Sequence, residues 1–213
     1  NDARRTGAYD IPDTLLGQNQ SWRVKLPSQS TSGRGIALTP EELRRIEKAK
    51  LYPRLEKVRD RFLIGINTGQ RYSDFKDLNQ DDVVQFDGKQ NWDILQKKTG
   101  KRVKIPVNKA CQDVLKKYDG KPPTISKQKF NKYIKEVCRE AGITDLVKVR
   151  KVNPLEGEKE SKLVPKCDLI SSHDCRRTTA TIMHDKGVPF GEIQRITGHS
   201  NLRELEKYIK VDE

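Results

Sequence analysis

Four short stretches of this chain hold residue types that can act on a phosphate. Near the C-terminal end, "GHSNLRELEKYIK" (Gly198 to Lys210) sets Tyr208 nine residues after His199. A phenol with an ordinary pKa of about 10 is a weak nucleophile. Cationic surroundings favour its phenolate and strengthen it. In "SHDCRRTTATIMHDKG", His173 and Arg176 are three residues apart and share one helical face. Cys175, Thr179, Ile182 and Met183 lie on another face and can pack. His173 also stands at the start of the helix, where free N–H groups already attract an anion. "INTGQRYSDFKDL" places Arg71 just after a helix-ending Gly69, with Asp74 able to orient or cap locally. Alone, that pattern also fits a buried arginine in a structural salt bridge. "QKKTGKRVKIPVNK" carries six basic residues and no acid. Its tight turn and flanking strands present Lys97, Lys98, Lys101, Arg102 and Lys104 as probes for a phosphate backbone.

Taken together, two arginines and one or two histidines can form a cationic cradle with a tyrosine beside it. Arginine suits a phosphate because its planar donors engage two oxygens and its charge persists. No Asp/Glu cluster suited to magnesium stands beside these residues, so the expected chemistry is phosphoryl transfer with no metal and no cofactor. Composition agrees: Lys plus Arg is 43 against 30 Asp plus Glu, a net charge of +13. Such an excess implies a polyanionic partner, most often nucleic acid. No apolar run approaches the ~20 residues of a membrane span. The start, "NDARRTGAYDIPD", lacks the apolar core of a signal peptide. Cys111, Cys138, Cys167 and Cys175 form no C-x-x-C pair and read as reduced thiols, pointing to a cytoplasmic protein. The spacing of Cys167, His173 and Cys175 is not that of a usual zinc site.

The elements that must position these groups follow from pattern. Residues 1–36 read as a linker or remnant; "SQSTSGRG" has the composition of a flexible segment. The domain, 37–213, opens with a capping box: Thr39 as N-cap, Pro40 at the first helical position, Glu42 three residues on. A second helix is expected from about Arg54 to Asn67, on the stripe Leu55, Val58, Phe62, Leu63 and Ile66. "DVVQF", "WDILQK" and "RVKIPV", separated by turn residues, predict a three-stranded antiparallel meander. Helices are expected over about Asn108 to Tyr118, Ser126 to Ala141, Ser172 to Lys186, Phe190 to Thr197 and Asn201 to Lys210. The basic stretch between Val147 and Leu169 fits a long hairpin with its tip at "NPLEGEKE". The order predicts a mainly helical α+β domain with one small sheet.

Five blocks, "TGQRYSDFKDL", "KKTGKRVKIPV", "SHDCRRTTAT", "ITGHS" and "LEKYIK", resemble the catalytic domain of the tyrosine recombinases, or phage integrases. They occur in that family's order and spacing, from about Leu38 to Val211. The stretch from Ser171 to Val211 looks most like integrases of mobile elements and prophages in the Bacteroidetes group. The resemblance implies the DNA breaking-rejoining fold. It also implies roles: Arg71 matches the first family arginine, His173 and Arg176 the H-x-x-R pair, His199 the His-or-Trp position, and Tyr208 the nucleophile. Lys98 matches the hairpin lysine, with Lys97 and Lys101 as adjacent competitors. Arg177 fills a position often held by His.

By the same resemblance, Tyr208 would form a 3′-phosphotyrosine with a strand of a double-stranded DNA attachment site. Strand exchange would proceed in a homotetramer of the full-length protein on DNA. Family members usually carry an N-terminal core-binding domain, and many continue beyond the tyrosine. The chain therefore looks like an excised catalytic domain, expected to bind DNA weakly and to be a monomer alone. A type IB topoisomerase-like enzyme and a catalytically silent DNA-binding domain share enough of the pattern to remain alternatives.

Overall fold

The computed structural model of the chain describes residues 31–32, 35–152, 159–199, 201, 205–206 and 209, with the side chains of 31–32, 150–152 and 159–160 excepted. In chain order the elements are β1 (Thr31–Ser32), α1 (Pro40–Lys48), α2 (Pro53–Thr68), α3 (Tyr72–Phe75), β2 (Val83–Phe86), β3 (Lys89–Leu95), β4 (Arg102–Pro106), α4 (Lys109–Lys117), α5 (Lys127–Glu140), β5 (Leu146–Val152), β6 (Lys159–Pro165), α6 (Ser172–Asp185) and α7 (Phe190–Thr197). The expected meander and the expected helices up to Thr197 are present, the helices within a residue or two at their ends and the strands within three.

α2 is the central pillar. Its first turns show one apolar stripe, but from Asp60 to Thr68 every residue is buried. A helix covered all round belongs in the middle of a core. It packs against α4, α5 and α6. One arginine rides inside it. Arg61 is 1% exposed and donates to the carbonyls of Phe75, Leu78, Pro122 and Pro123, at 3.2, 2.8, 2.5 and 3.2 Å. α2 stops at Gly69, whose φ of 61° is the left-handed C-terminal cap that favours glycine.

The meander runs in the order β2-β3-β4, all antiparallel. Trp92, opposite Val83 and Ile105, is fully buried, and its indole N–H donates to Asn67 Oδ1 at 2.8 Å. The sheet is thereby tied to the last turn of α2, just before Arg71.

The structure corrects two expectations. A second three-stranded sheet accompanies the meander, in the order β1-β5-β6. β5 and β6 form the expected hairpin, while residues 153–158 of its tip lie outside the described residues. β1 joins it in parallel, Thr31 opposite Val149 and Ser32 opposite Arg150. The segment read as a flexible linker is therefore partly a strand. The reason is the open edge of β5, whose unpaired N–H and C=O groups recruit any nearby extended chain. The segment after it is stitched to α6: Ile36 N–H donates to Asp174 Oδ1 at 2.9 Å and Leu38 N–H to Thr178 Oγ1 at 3.0 Å. A Cβ on Gly35 would lie 2.4 Å from Asp174 Oδ1, so that close approach requires glycine.

At the other end, the helix expected from Asn201 to Lys210 is described in part. Leu205, Glu206 and Ile209 are helical, and Leu205 and Ile209 are buried in the core. Tyr208, also on that segment, lies outside the described residues.

Candidate active site

Three chain segments far apart in sequence bring the cationic groups together. The first is the loop after α2. Gly69 turns the chain, and Arg71 follows in extended backbone as the N-cap of α3. Its Nη2 donates to the Gly198 carbonyl at 3.2 Å, and its buried Nη1 has no hydrogen-bond partner among the described residues. A buried guanidinium N–H left open in this way is costly unless a ligand completes it.

The second segment is the start of α6. Ser171 caps the helix, its Oγ accepting from His173 N–H at 3.3 Å, while Asp174 Oδ2 accepts from Ser171 N–H at 2.8 Å. This reciprocal box fixes the first turn. His173 projects from it with its residue surface exposed, and Arg176, one turn on, is 1% exposed. Arg177 is buried beside Asp174, its Nε 3.9 Å from Oδ1.

The third segment is the turn closing α7. Gly198 takes φ 69°, and His199 follows, 4% exposed. Arg176 Nε donates to His199 Nε2 at 3.3 Å, and His199 Nδ1 lies 2.7 Å from Thr197 Oγ1. Thr197 Oγ1 in turn donates to the Ile193 carbonyl at 2.5 Å.

The electrostatics show that these groups share one field. Burial, followed by Arg176, Arg71, His173 and Arg177, pushes the His199 pKa down to about 3. Loss of solvent, then Arg177, Arg176, Lys127 and Arg71, lowers that of His173. Burial first and the neighbouring cations second disfavour the charged form of both imidazoles, and the same positive field favours an anion.

The hairpin between β3 and β4 closes against this cluster. Its Lys97 N–H donates to Asp74 Oδ1 at 3.1 Å, and Gln96 Nε2 reaches the Ile196 carbonyl at 3.3 Å. The turn is thus anchored between the Arg71 loop and the His199 turn. Residues 37–213 match the family model described as "Phage integrase family".

The chain belongs to the phage integrase family.

Solved structures share its fold. XerH site-specific recombinase bound to difH substrate, in a pre-cleavage complex, is 17% identical, with a TM-score of 0.57 over 89% of this chain and 52% of that one. A lambda integrase tetramer bound to a Holliday junction is 18% identical, with a TM-score of 0.56 over 85% of this chain and 50% of that one. The lambda integrase catalytic core is 18% identical, with a TM-score of 0.50 over 78% of this chain and 92% of that one. The chain spans about half the length of the first two. No curated protein sequence matches it.

In this integrase-family chain, Arg71, His173, Arg176 and His199 converge, with Arg177 next to them on α6. Lys97, Lys98 and Lys101 are exposed on or beside the hairpin turn. Arg102 is exposed and pairs with Asp93 through Nε and Nη2, at 2.7 and 2.9 Å. The Lys104 ammonium lies 4.0 Å from the centre of the Phe86 ring. The expected nucleophile, Tyr208, is outside the described residues. Among those residues no group of three or more His, Cys, Asp or Glu could hold a metal ion, and no helix is long and apolar enough to cross a membrane. All four cysteines are free and buried.

Sequence reasoning missed Gln70, Gln96, Thr99 and Thr197. The available signal was positional: Gln96 continues the inward alternation of Trp92 and Ile94, so an amide occupies a core position.

Proposed function

We propose that residues 37–213 are the catalytic domain of a site-specific DNA recombinase, joined through residues 1–36 to further parts of a longer protein. Its substrate is a double-stranded DNA attachment site, and it integrates or excises a mobile element or prophage. The observation that carries this reading is the convergence of Arg71, Arg176 and His199, from three separate segments, on one positive site with an open guanidinium N–H. The likeness of its fold to XerH bound to difH substrate and to lambda integrase bound to a Holliday junction supports the choice of DNA.

In the proposed reaction the Tyr208 oxygen attacks the scissile phosphorus. An O–P bond forms and the bond from phosphorus to the 5′-oxygen breaks. The phenol proton passes to His173, and the leaving oxygen takes a proton from Lys98. Arg71, Arg176 and His199 stabilise the charge on the non-bridging oxygens. A 5′-hydroxyl of the partner strand reverses the step and releases Tyr208, so no cofactor is consumed. The basic hairpin residues Lys97, Lys101, Arg102 and Lys104, with Arg177, contribute to DNA binding. The complete protein works as a homotetramer on DNA, and the chain alone is a monomer.

The test is covalent capture. A labelled pool of nicked duplexes with a randomised centre is incubated with the chain, and adducts stable to denaturation are collected. Wild type should retain label, and Tyr208→Phe should not while still shifting the duplexes in a gel. An adduct that persists in Tyr208→Phe would assign the nucleophile elsewhere.

A further inference from the structure

Gln96 is fully buried where β3 runs into the lysine turn. A buried amide at a core position is costly unless its donors and acceptor are all used. Here they are. Nε2 donates to Gln70 Oε1 at 2.7 Å and to the Ile196 carbonyl at 3.3 Å, while Oε1 accepts from Thr99 Oγ1 at 2.6 Å. Its main chain closes the turn as well: Gln96 N–H donates to the Lys101 carbonyl and Gly100 N–H to the Gln96 carbonyl, both at 2.8 Å. Gln70, also fully buried, donates from Nε2 to the carbonyls of Thr68 and Ile196, at 2.9 and 2.7 Å. The partners fix the amide's orientation, because two carbonyl oxygens face Nε2 and a hydroxyl faces Oε1.

The placement of these partners gives the network its meaning. Gln70 immediately precedes Arg71. Ile196 stands two residues before Gly198, whose carbonyl receives Arg71. Thr99 follows Lys98 on the turn. A Cβ on Gly198 would lie 2.1 Å from Gln96 Oε1, so the Gln96 amide lies directly against the His199 turn. We propose that Gln96 is a positioning residue that latches the lysine-bearing turn to the Arg71 loop and the His199 turn, so that the turn's lysine meets the leaving 5′-oxygen. This rests on the recombinase reading. A lysine has a long flexible stem, and a proton donor works only within hydrogen-bond reach of its acceptor. Fixing the backbone beneath it supplies that orientation.

The test uses the full chain and a duplex selected from the randomised pool by wild-type adduct formation. Two versions are compared, one with the natural 5′-oxygen and one with sulfur in the bridging position. A thiolate leaves without a proton, so the sulfur version does not need the lysine. Gln96→Met, similar in size but without the amide, should slow adduct formation roughly tenfold or more on oxygen and stay near wild type on sulfur. Lys98→Ala should behave alike, and Arg176→Ala should be slow on both. Gln96→Met equally slow on both, or undiminished on oxygen, overturns the proposal. If Gln96→Met misfolds, Thr99→Val removes one bond from the same amide, and its smaller loss should also vanish on sulfur. The latch is read separately, without DNA, by hydrogen exchange. The Lys97 and Gly100 amides should exchange about tenfold faster in Gln96→Met or Thr99→Val. Unchanged exchange would sink the latch whatever the site catalyses. Faster exchange with no wild-type adduct on any duplex would instead count against the recombinase reading.

Discussion

Arg176 Nε donates to His199 Nε2 across 3.3 Å, and this contact decides where the imidazole proton sits. A guanidinium has donors and no acceptor, so Nε2 must offer a lone pair. The proton then sits on Nδ1, which donates to Thr197 Oγ1 at 2.7 Å, and the threonine hydroxyl spends its own proton on the Ile193 carbonyl. The chain without DNA should therefore hold His199 as the neutral Nδ1–H tautomer. Long-range nitrogen–proton NMR correlations of the ring would check this. A dominant Nε2–H signal would contradict it. To donate from Nε2 to a phosphate oxygen, the ring must gain or relocate a proton when DNA binds.

The same ring predicts a pH dependence of stability. In an unfolded chain a histidine titrates at about 6.5, whereas folded His199 titrates at about 3. Between these values the unfolded chain takes up a proton that the folded chain refuses. Stability is thus fully present above about 6.5 and falls on acidification until the folded ring itself protonates near 3. Going from about pH 7 to about pH 4.5 should cost roughly 2 kcal/mol through this residue. Urea titrations of wild type and His199→Gln at both pH values should show a shallower fall in the variant by about that amount. Parallel curves would mean that His199 does not carry the acid sensitivity.

Gly198 and Gln96 should be energetically coupled. Alanine at position 198 must adopt φ 69° and place its Cβ 2.1 Å from Gln96 Oε1. The left-handed backbone alone costs about 1–2 kcal/mol, and the collision adds to it. Shortening Gln96 to alanine removes the collision but not the backbone strain. A double-mutant cycle of Gly198→Ala and Gln96→Ala, read by urea unfolding, should give a coupling of about 1 kcal/mol or more. Additive effects would show that the turn moves away freely.

The features legible in the sequence were those written in local pattern. The Thr39–Glu42 box, the stripe on α2 and the alternation through Trp92 and Ile94 each place their element without tertiary information. The H-x-x-R spacing put His173 and Arg176 on one helix, and the five family blocks supplied the grouping that spacing alone could not. The rest depended on partners distant in the chain. β1 forms because β5 offers an edge, and nothing in "STSG" announces it. Gln96 looked like one more polar residue in a basic hairpin, because its meaning comes from the Ile196 carbonyl and Gln70. The same holds for the two arginines on either side of the end of α2. Arg61 and Arg71 are alike as letters, yet one is locked by carbonyls and the other is left with an open N–H.

That contrast between Arg61 and Arg71 makes the last prediction. Arg61 holds four main-chain carbonyls inside the core, so Arg61→Met leaves several of them unsatisfied. The loss should be about 3–5 kcal/mol of stability. Arg71 donates to the Gly198 carbonyl and keeps Nη1 for a ligand. Arg71→Met should change stability by about 1 kcal/mol or less, while slowing covalent adduct formation about a hundredfold or more. Thermal or urea unfolding gives the first quantity and denaturing-gel capture on the selected duplex gives the second. If Arg71→Met unfolds the chain as severely as Arg61→Met, the guanidinium at position 71 is a structural prop and the cradle loses its first donor. If Arg71→Met keeps both its fold and its full rate, the phosphate is held by other groups.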